Sequence, residues 1–295
     1  MKMARFILSA FADEAGSALE EQIAALKRNG IDYIEPRNIN GKPILTLTDE
    51  ELADVKAELD KNGIKVNSLG SPIGKYPITE PFDKHLVDFH RALEVCKALG
   101  TDKMRMFSFF TKQTELKEYR DEVLYRLNEM TKIAKEHGIT LCHENESEIY
   151  GQNPEEMLDL MNNVEGLKGI FDPANYRMNG CDVIAGINAT IPKLAYLHIK
   201  DAIYTSQLIV PAGDGEGKIA EVLDMVNKAT DEVVYLTLEP HLFLFDAYKG
   251  IDKHELKVKY TFTNNTESFD FAANALKNLL TENGYERDGN NVWKK

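Results

Sequence analysis

Four short phrases with one shared pattern recur along this 295-residue sequence: NGIDYI, NGIKVN, LGTDKM and HGITLC. In each phrase a glycine follows a segment with helical spacing of its apolar residues, and a strand-like apolar run begins within a few residues. Glycine commonly ends a helix because it adopts the left-handed backbone conformation at little steric cost. The repetition therefore predicts alternating helices and strands, the order typical of parallel α/β folds.

The whole chain divides into eight strand–helix pairs with no linker or low-complexity tract between them. Predicted strands occupy 5–11, 31–36, 64–70, 102–110, 139–146, 167–173, 193–201 and 232–240. Predicted helices occupy 17–30, 47–63, 83–100, 115–138, 153–164, 181–190, 216–229 and 266–280. Two helix starts carry capping signals: Thr48 with Glu51, and Asn153 followed by Pro154. Eight such pairs predict a single-domain (β/α)8 barrel spanning residues 1–295.

An open doubly wound sheet is the alternative fold, but it usually has fewer strands and often a glycine-rich phosphate loop. The only glycine-rich stretch, AGDGEGK at 212–218, lacks the spacing of such a loop and is interpreted as a surface loop. The segment after the eighth strand, about 241–265, is long for its position. Long loops often cover a site or form a contact, so we expect it to close over the pocket, to meet a partner subunit or another copy, or to form a hairpin on the rim.

Composition excludes several classes of protein. A net charge of −13 disfavours binding to nucleic acid or to an anionic membrane. No apolar run approaches the ~18 residues of a membrane span, and the N-terminus lacks the pattern of a secretory signal. Cys96, Cys142 and Cys181 lack metal-site spacing. Their small, odd number fits reduced thiols, and Cys96 fits a packed position, so a cytoplasmic protein is predicted.

Ligand-type side chains stand at four consecutive predicted strand ends. They are Glu144, Asp172, His198 and Glu239. The carboxyl ends of barrel strands form the active-site face, so we expect these side chains to converge. Three carboxylates and an imidazole suit one divalent ion, Mn²⁺ foremost, with Mg²⁺, Co²⁺ or Zn²⁺ as alternatives. Glu146 competes with Glu144 as the ligand, because alternation along a strand places both on one face.

Each of these residues also has a simpler interpretation. An aspartate before proline is commonly a turn residue, a strand histidine is commonly packed, and HENESEIY (143–150) reads alone as an acidic loop. Glu239 is harder to dismiss, because a carboxylate closing a buried strand needs a partner. Four ligand types at four successive strand ends favour the metal site.

The motifs HENE, FDPAN, HIKD and LEPH, in this order along the barrel pattern, resemble the xylose-isomerase-like TIM barrels. That superfamily includes sugar phosphate isomerases and epimerases, keto-sugar 3-epimerases and type 2 AP endonucleases. The resemblance covers nearly the whole chain. It implies that Glu144, Asp172, His198 and Glu239 bind the ion, and that Glu144 and Glu239 form an acid/base pair acting on a sugar or keto-sugar through an enediolate.

Neighbouring residues are candidates for further roles. His143 is a possible second base, and five residues are expected to contact substrate or to support the site: Glu35, Asn175, Lys200, Asp201 and His241. A salt bridge to Arg37 is the alternative role for Glu35. Asn175 stands three residues after Asp172, where sugar epimerases of this family often have histidine. This departure disfavours a simple free-ketohexose epimerase.

Three functional classes follow. The first is a metal-dependent isomerase or epimerase acting on a small carbohydrate. The second is a metal-dependent lyase that cleaves 3-oxo-glycosides, resembling the catalytic subunits of C-glycoside deglycosidases, with a histidine such as His143 as base. The third is a sugar-binding module without catalysis, which would not require a metal. An AP endonuclease is disfavoured by the net charge and by the scattered histidines.

Overall fold

The computed structural model describes residues 2–243, 257, 258 and 260–295. Its strands, in chain order, are β1 (Arg5–Ala10), β2 (Tyr33–Ile34), β3 (Asn38–Ile39), β4 (Lys42–Pro43), β5 (Lys65–Val66), β6 (Lys103–Met106), β7 (Thr140–Glu144), β8 (Lys168–Phe171), β9 (Leu194–Ile199), β10 (Asp201–Ile203), β11 (Leu208–Val210), β12 (Val233–Leu238), β13 (Lys257–Val258), β14 (Glu286–Arg287) and β15 (Val292–Lys294). The α-helices are α1 (Leu19–Arg28), α2 (Asp49–Lys61), α3 (Phe82–Leu99), α4 (Arg120–Glu136), α5 (Pro154–Asn163), α6 (Pro173–Met178), α7 (Val183–Thr190), α8 (Ile219–Ala229) and α9 (Asn265–Glu282).

Eight parallel strands form the barrel. One run of parallel pairs joins β6, β7, β8, β9, β12 and β1, and a second joins β1 to β2 and β2 to β5. A parallel bridge between Leu69 and Met104 connects the chain just beyond β5 to β6 and completes the ring. The predicted (β/α)8 barrel is confirmed.

The predicted helix signals are found where the sequence places them. The Thr48 side chain accepts the Glu51 N–H while Glu51 accepts the Thr48 N–H, which is the predicted capping box. Asn153 caps α5, and Pro154 is its first residue. The glycines of the four repeated phrases all have positive φ, between 61° and 73°. The capping residues and glycines seen in the sequence therefore mark true helix ends in the structure.

Several elements were not predicted. The C-terminal hairpin of β14 and β15 pairs antiparallel with the N-terminal half of β1. A small sheet of β10, β11 and β13 follows the seventh barrel strand, and β3 pairs with β4 after the second. Most of the long segment predicted at 241–265 lies outside the described residues, and the expectations of a cover, a partner contact or a hairpin there stay predictions.

The interior contains two groups of buried apolar side chains. A continuous apolar core lies between the barrel and its helices, and a smaller group of Cys142, Ile170 and Tyr196 fills the barrel beneath the carboxyl ends of the strands. The three cysteines are free thiols, and Cys96 is fully buried. Within the described ranges, no helix is both long and apolar enough to cross a bilayer.

Candidate metal centre

The four predicted ligands come together at the carboxyl end of the barrel. Glu144 is the last residue of β7, Asp172 and Glu239 directly follow β8 and β12, and His198 lies near the end of β9. One ligand atom from each lies within 4.8 Å of the others, and all four side chains are buried. This group, called the ligand cluster below, matches the donors that a divalent ion takes from protein side chains.

Within the ligand cluster, each carboxylate has one oxygen held by a donor of the protein. Arg105 Nη1 lies 3.2 Å from Glu144 Oε2, the Asn175 N–H lies 2.9 Å from Asp172 Oδ1, and Arg37 Nη1 lies 3.0 Å from Glu239 Oε1. The second oxygens face the centre. Asp172 Oδ2 and Glu239 Oε2 accept no hydrogen bond from the described part of the chain. Buried acceptors left in this state are expected where an ion binds.

The charges of the ligand cluster strongly perturb one another. Burial opposes the charged imidazolium, but the Glu144 and Glu35 carboxylates outweigh it and raise the pKa of His198 to about 10. Burial also opposes ionisation of Glu144, yet His198 and Arg105 lower its pKa to about 2. A proton on His198 thus holds the positive charge that a metal ion would replace, since a ligating imidazole nitrogen carries no proton.

Lys200 is a further cation in the ligand cluster. Its Nζ lies 3.0 Å from Asp172 Oδ2 and 3.6 Å from Glu239 Oε2. Both contacts bring opposite charges together, although neither oxygen is in hydrogen-bonding geometry. Burial raises the pKa of Asp172 to about 6 despite the ammonium, whereas Lys200, His241 and His198 together overcome burial and hold the pKa of Glu239 well below its usual range.

Two buried arginines contact the ligand cluster, a role that the sequence did not predict for either of them. Arg37, beyond β2, also binds Asp13 through Nε and Nη2, and Arg105 lies in β6. Both guanidinium carbons lie over the Phe11 ring, at 4.4 Å and 4.9 Å from its centroid. Each of the two outer glutamates of the ligand cluster therefore has its own arginine, and one aromatic ring supports both.

A second acidic group borders the ligand cluster. Glu14 Oε1 and Glu239 Oε1 each lie 3.4 Å from His241 Nε2, and the Glu14 carboxylate accepts the backbone N–H of His241. The Arg37 guanidinium forms salt bridges with both Glu14 and Glu239. His241, which the sequence predicted at the site, thus lies beside the ligand cluster. It belongs to an ion-pair network in which Arg37 supplies a positive charge.

Glu35 and Asn175 are also at the site. Asn175 Nδ2 donates to the Asn145 carbonyl and lies 3.4 Å from Glu144 Oε1, so it supports β7 and the first ligand together. Glu35 lies beneath His198, with Oε2 at 3.4 Å from Nε2. Glu146 does not join the ligand cluster, because it pairs with Lys75 at 3.2 Å.

The structure does not bring His143 to the ligand cluster. Successive strand residues face opposite sides, so His143 faces outward where Glu144 faces inward. Its register partner is Gly169, at which a Cβ would meet Met161 and Thr190 of the surrounding helices. Neither ring nitrogen has a hydrogen-bond partner among the residues that the structure describes. The geometry runs against the predicted role of His143 as a base.

Asp201 also lies apart from the ligand cluster. Its carboxylate accepts the backbone N–H groups of Ala202, Gly213, Gly215 and Gly217. A Cβ at Gly215 would lie 2.2 Å from Asp201 Oδ1, which explains the glycines. These contacts leave Asp201 without a free face for substrate. They also correct the interpretation of 212–218, which wraps a buried carboxylate instead of lying as a plain surface loop.

A family model described as "Xylose isomerase-like TIM barrel" matches residues 23–251. The chain belongs to this family. The comparison with curated proteins gives no match.

Several solved structures share the fold over nearly the full chain. A probable 3-DHS dehydratase from Bacillus anthracis is 15% identical, with a TM-score of 0.72 over 93% of this chain and 99% of that one. An IolI protein with a bound zinc atom is 19% identical, with a TM-score of 0.72 over 96% and 99%. A D-psicose 3-epimerase from Clostridium cellulolyticum H10, solved with D-tagatose, is 16% identical, with a TM-score of 0.66 over 95% and 98%. At these identities the likeness establishes the fold.

Proposed function

We propose that this protein is a divalent-metal-dependent isomerase or epimerase of a small sugar or keto-sugar. The observation that carries the proposal is the ligand cluster, in which four buried donors from four neighbouring strands lie within 4.8 Å of one another. The similar structures include a protein with bound zinc and an epimerase solved with a ketohexose, which agrees with this chemistry. Mn²⁺ is the proposed ion, with Mg²⁺, Co²⁺ and Zn²⁺ as alternatives.

A bound divalent ion would polarise the substrate carbonyl and stabilise the negative charge that develops when the α proton leaves. The chain supplies the proton transfer. Glu144 and Glu239 stand on β7 and beyond β12, at the two ends of the ligand cluster, so one carboxylate can lie on each side of a substrate. Both pKa values are lowered, so each begins as a base at neutral pH.

The path of the proton decides the product. A glutamate that removes the α proton and returns it to the adjacent carbon moves the carbonyl, provided that the proton of the neighbouring hydroxyl passes to the former carbonyl oxygen; this is isomerisation. Return to the same carbon from the opposite side inverts that centre and requires the second glutamate to carry a proton. Arg37 and Arg105 each fix one oxygen of their glutamate, so the other oxygen is held toward the centre.

The test combines metal analysis with isotope exchange. Purified protein is expected to bind about one Mn²⁺ per chain and to incorporate solvent deuterium into a ketose at the α carbon in D₂O. Glu144→Gln and Glu239→Gln should lose both properties. Glu146→Gln is the matched control, because it removes a carboxylate that pairs with Lys75 outside the ligand cluster. Absence of metal binding would refute the proposal and favour a sugar-binding module.

The lyase acting on 3-oxo-glycosides is separated by the same incubation, because it would release an aglycone. The structure offers it less support, since His143, the base expected for that reaction, faces the helices. Aglycone release by the wild type with no exchange into ketoses would replace the isomerase proposal with the lyase.

A further inference from the structure

A chain of buried polar groups lies beneath the ligand cluster, on the side away from its carboxylates. Glu35 follows β2, Ser68 follows β5, and Tyr196 and His198 stand two residues apart on β9, so both face the barrel interior. All four side chains are fully buried. A carboxylate at such a position is costly unless its partners compensate it.

The contacts form one continuous path. The Tyr196 hydroxyl lies 2.8 Å from Glu35 Oε1 and 3.0 Å from Ser68 Oγ. Glu35 Oε2 lies 3.4 Å from His198 Nε2. Since a carboxylate only accepts hydrogen bonds, Tyr196 donates to one oxygen of Glu35, and the other oxygen is left for the N–H of His198.

The two nitrogens of His198 face different surroundings. Nδ1 lies 3.0 Å from Glu144 Oε1 and 3.5 Å from Glu239 Oε2, on the side of the ligand cluster. Nε2 faces Glu35. A metal-binding imidazole must offer a nitrogen without a proton, and the hydrogen bond made by its other nitrogen fixes which one that is.

We propose that Glu35 is a positioning residue that accepts the Nε2–H of His198 and thereby presents Nδ1 to the metal, with Tyr196 holding Glu35 in place. This inference rests on the proposed metal site. It replaces the sequence-based expectation that Glu35 contacts substrate, because Glu35 is fully buried and lies under the imidazole, not above it.

The experiment measures Mn²⁺ affinity by calorimetry on protein treated with EDTA and dialysed. Glu35→Gln is expected to weaken Mn²⁺ binding about tenfold, the size usual for loss of a carboxylate behind a metal-bound histidine. Tyr196→Phe should weaken binding less, because Glu35 remains. Glu156→Gln is the matched control. Glu156 lies on α5, away from the ligand cluster, and is a buried carboxylate that accepts the N–H of Gly151, so its loss should leave Mn²⁺ affinity unchanged.

A spectroscopic readout separates positioning from simple structural support. In the Zn²⁺-loaded wild type with ¹⁵N-labelled histidine, His198 should show a metal-bound Nδ1 and a protonated Nε2 whose proton resonates far downfield. Glu35→Gln should move that proton upfield. If Nε2 proves to be the metal-bound nitrogen, the inference is overturned. This result needs only the wild type, so it holds even if the variants fail to fold.

The outcomes distinguish this inference from the proposed function. If Glu144→Gln abolishes Mn²⁺ binding while Glu35→Gln binds like the wild type, the metal site stands and the positioning role is overturned. A raised KM with unchanged Mn²⁺ affinity in Glu35→Gln has the same meaning and restores Glu35 as a substrate contact. If the wild type binds no Mn²⁺, both proposals fail together.

Discussion

Replacing His143 with leucine is expected to make the protein less sensitive to acid. His143 is fully buried, and neither of its ring nitrogens has a hydrogen-bond partner in the described ranges. Burial lowers its pKa to about 3, although the neighbouring Glu144 carboxylate acts in the opposite direction. The folded protein therefore keeps this imidazole neutral at pH values where the unfolded chain binds a proton.

The magnitude follows from that difference. A histidine in the unfolded chain titrates near pH ~6.5. Because its folded pKa is lowered, stability declines as pH falls through that value, by about 1.4 kcal/mol per pH unit, until the folded group also protonates near pH 3. Between pH 7 and pH 4.5 the wild type should lose about 2.5 kcal/mol of unfolding free energy on account of His143 alone.

The assay is urea unfolding of wild type and His143→Leu at both pH values, with EDTA present. The variant should lose about 2.5 kcal/mol less than the wild type between them, and other titrating groups largely cancel in the comparison. His90→Leu, which removes an exposed imidazole, should keep the wild-type profile. Equal losses in wild type and His143→Leu would refute the reasoning. A large drop in turnover of His143→Leu at pH 7, with metal binding intact, would return His143 to the catalytic groups.

Three further predictions concern the site and its surroundings. The apparent Mn²⁺ affinity should rise about tenfold per pH unit between pH 6 and pH 8, because His198, with a pKa raised to about 10, must release its proton; calorimetry in two buffers would count about one proton. Asp201→Asn should lower the unfolding free energy by about 2–3 kcal/mol without changing Mn²⁺ affinity, because an amide cannot accept at both of its ends; urea titration measures this. Arg105→Met should cost about 3–5 kcal/mol without metal, because the buried Glu144 loses a countercharge, and Mn²⁺ should raise its melting temperature more than it raises that of the wild type.

The sequence predicted the barrel because its signals are local and repeated. Helix-ending glycines, capping residues and apolar strands each act within a few residues, and the ring they imply follows from their number. The hairpin of β14 and β15 was missed because its strands are short and gain their partner, β1, from the far end of the chain. No local pattern predicts such a pairing.

Alternation along the strands explains why Asp201 and His143 lie outside the ligand cluster. His198 and Lys200 are two apart and share a face, whereas Asp201 is one residue further and turns away. The same rule separates His143 from Glu144. Adjacency to a ligand in sequence therefore does not place a strand side chain in the site, because neighbouring residues face opposite sides.

The sequence signals the two arginines only in part. Arg105 interrupts an apolar strand, KMRMF, and a charged residue in that setting needs a buried countercharge. The sequence shows that need but does not give its partner, since Glu144 comes from the next barrel strand and Glu239, the partner of Arg37, from the opposite end of the chain.

The orientation of the carboxylates ties these residues to the proposed chemistry. Replacing a buried ion pair by well-packed apolar residues often stabilises a protein, so a fold that buries this many charges does not do so for stability. Arg105, Asn175 and Arg37 each hold one oxygen of a different carboxylate, and the remaining oxygens converge beside His198 Nδ1. In that arrangement the inward oxygens would repel one another unless a cation lay between them. Lys200 and a proton on His198 supply that charge in the metal-free protein, and a divalent ion that displaced them would find its ligands already oriented.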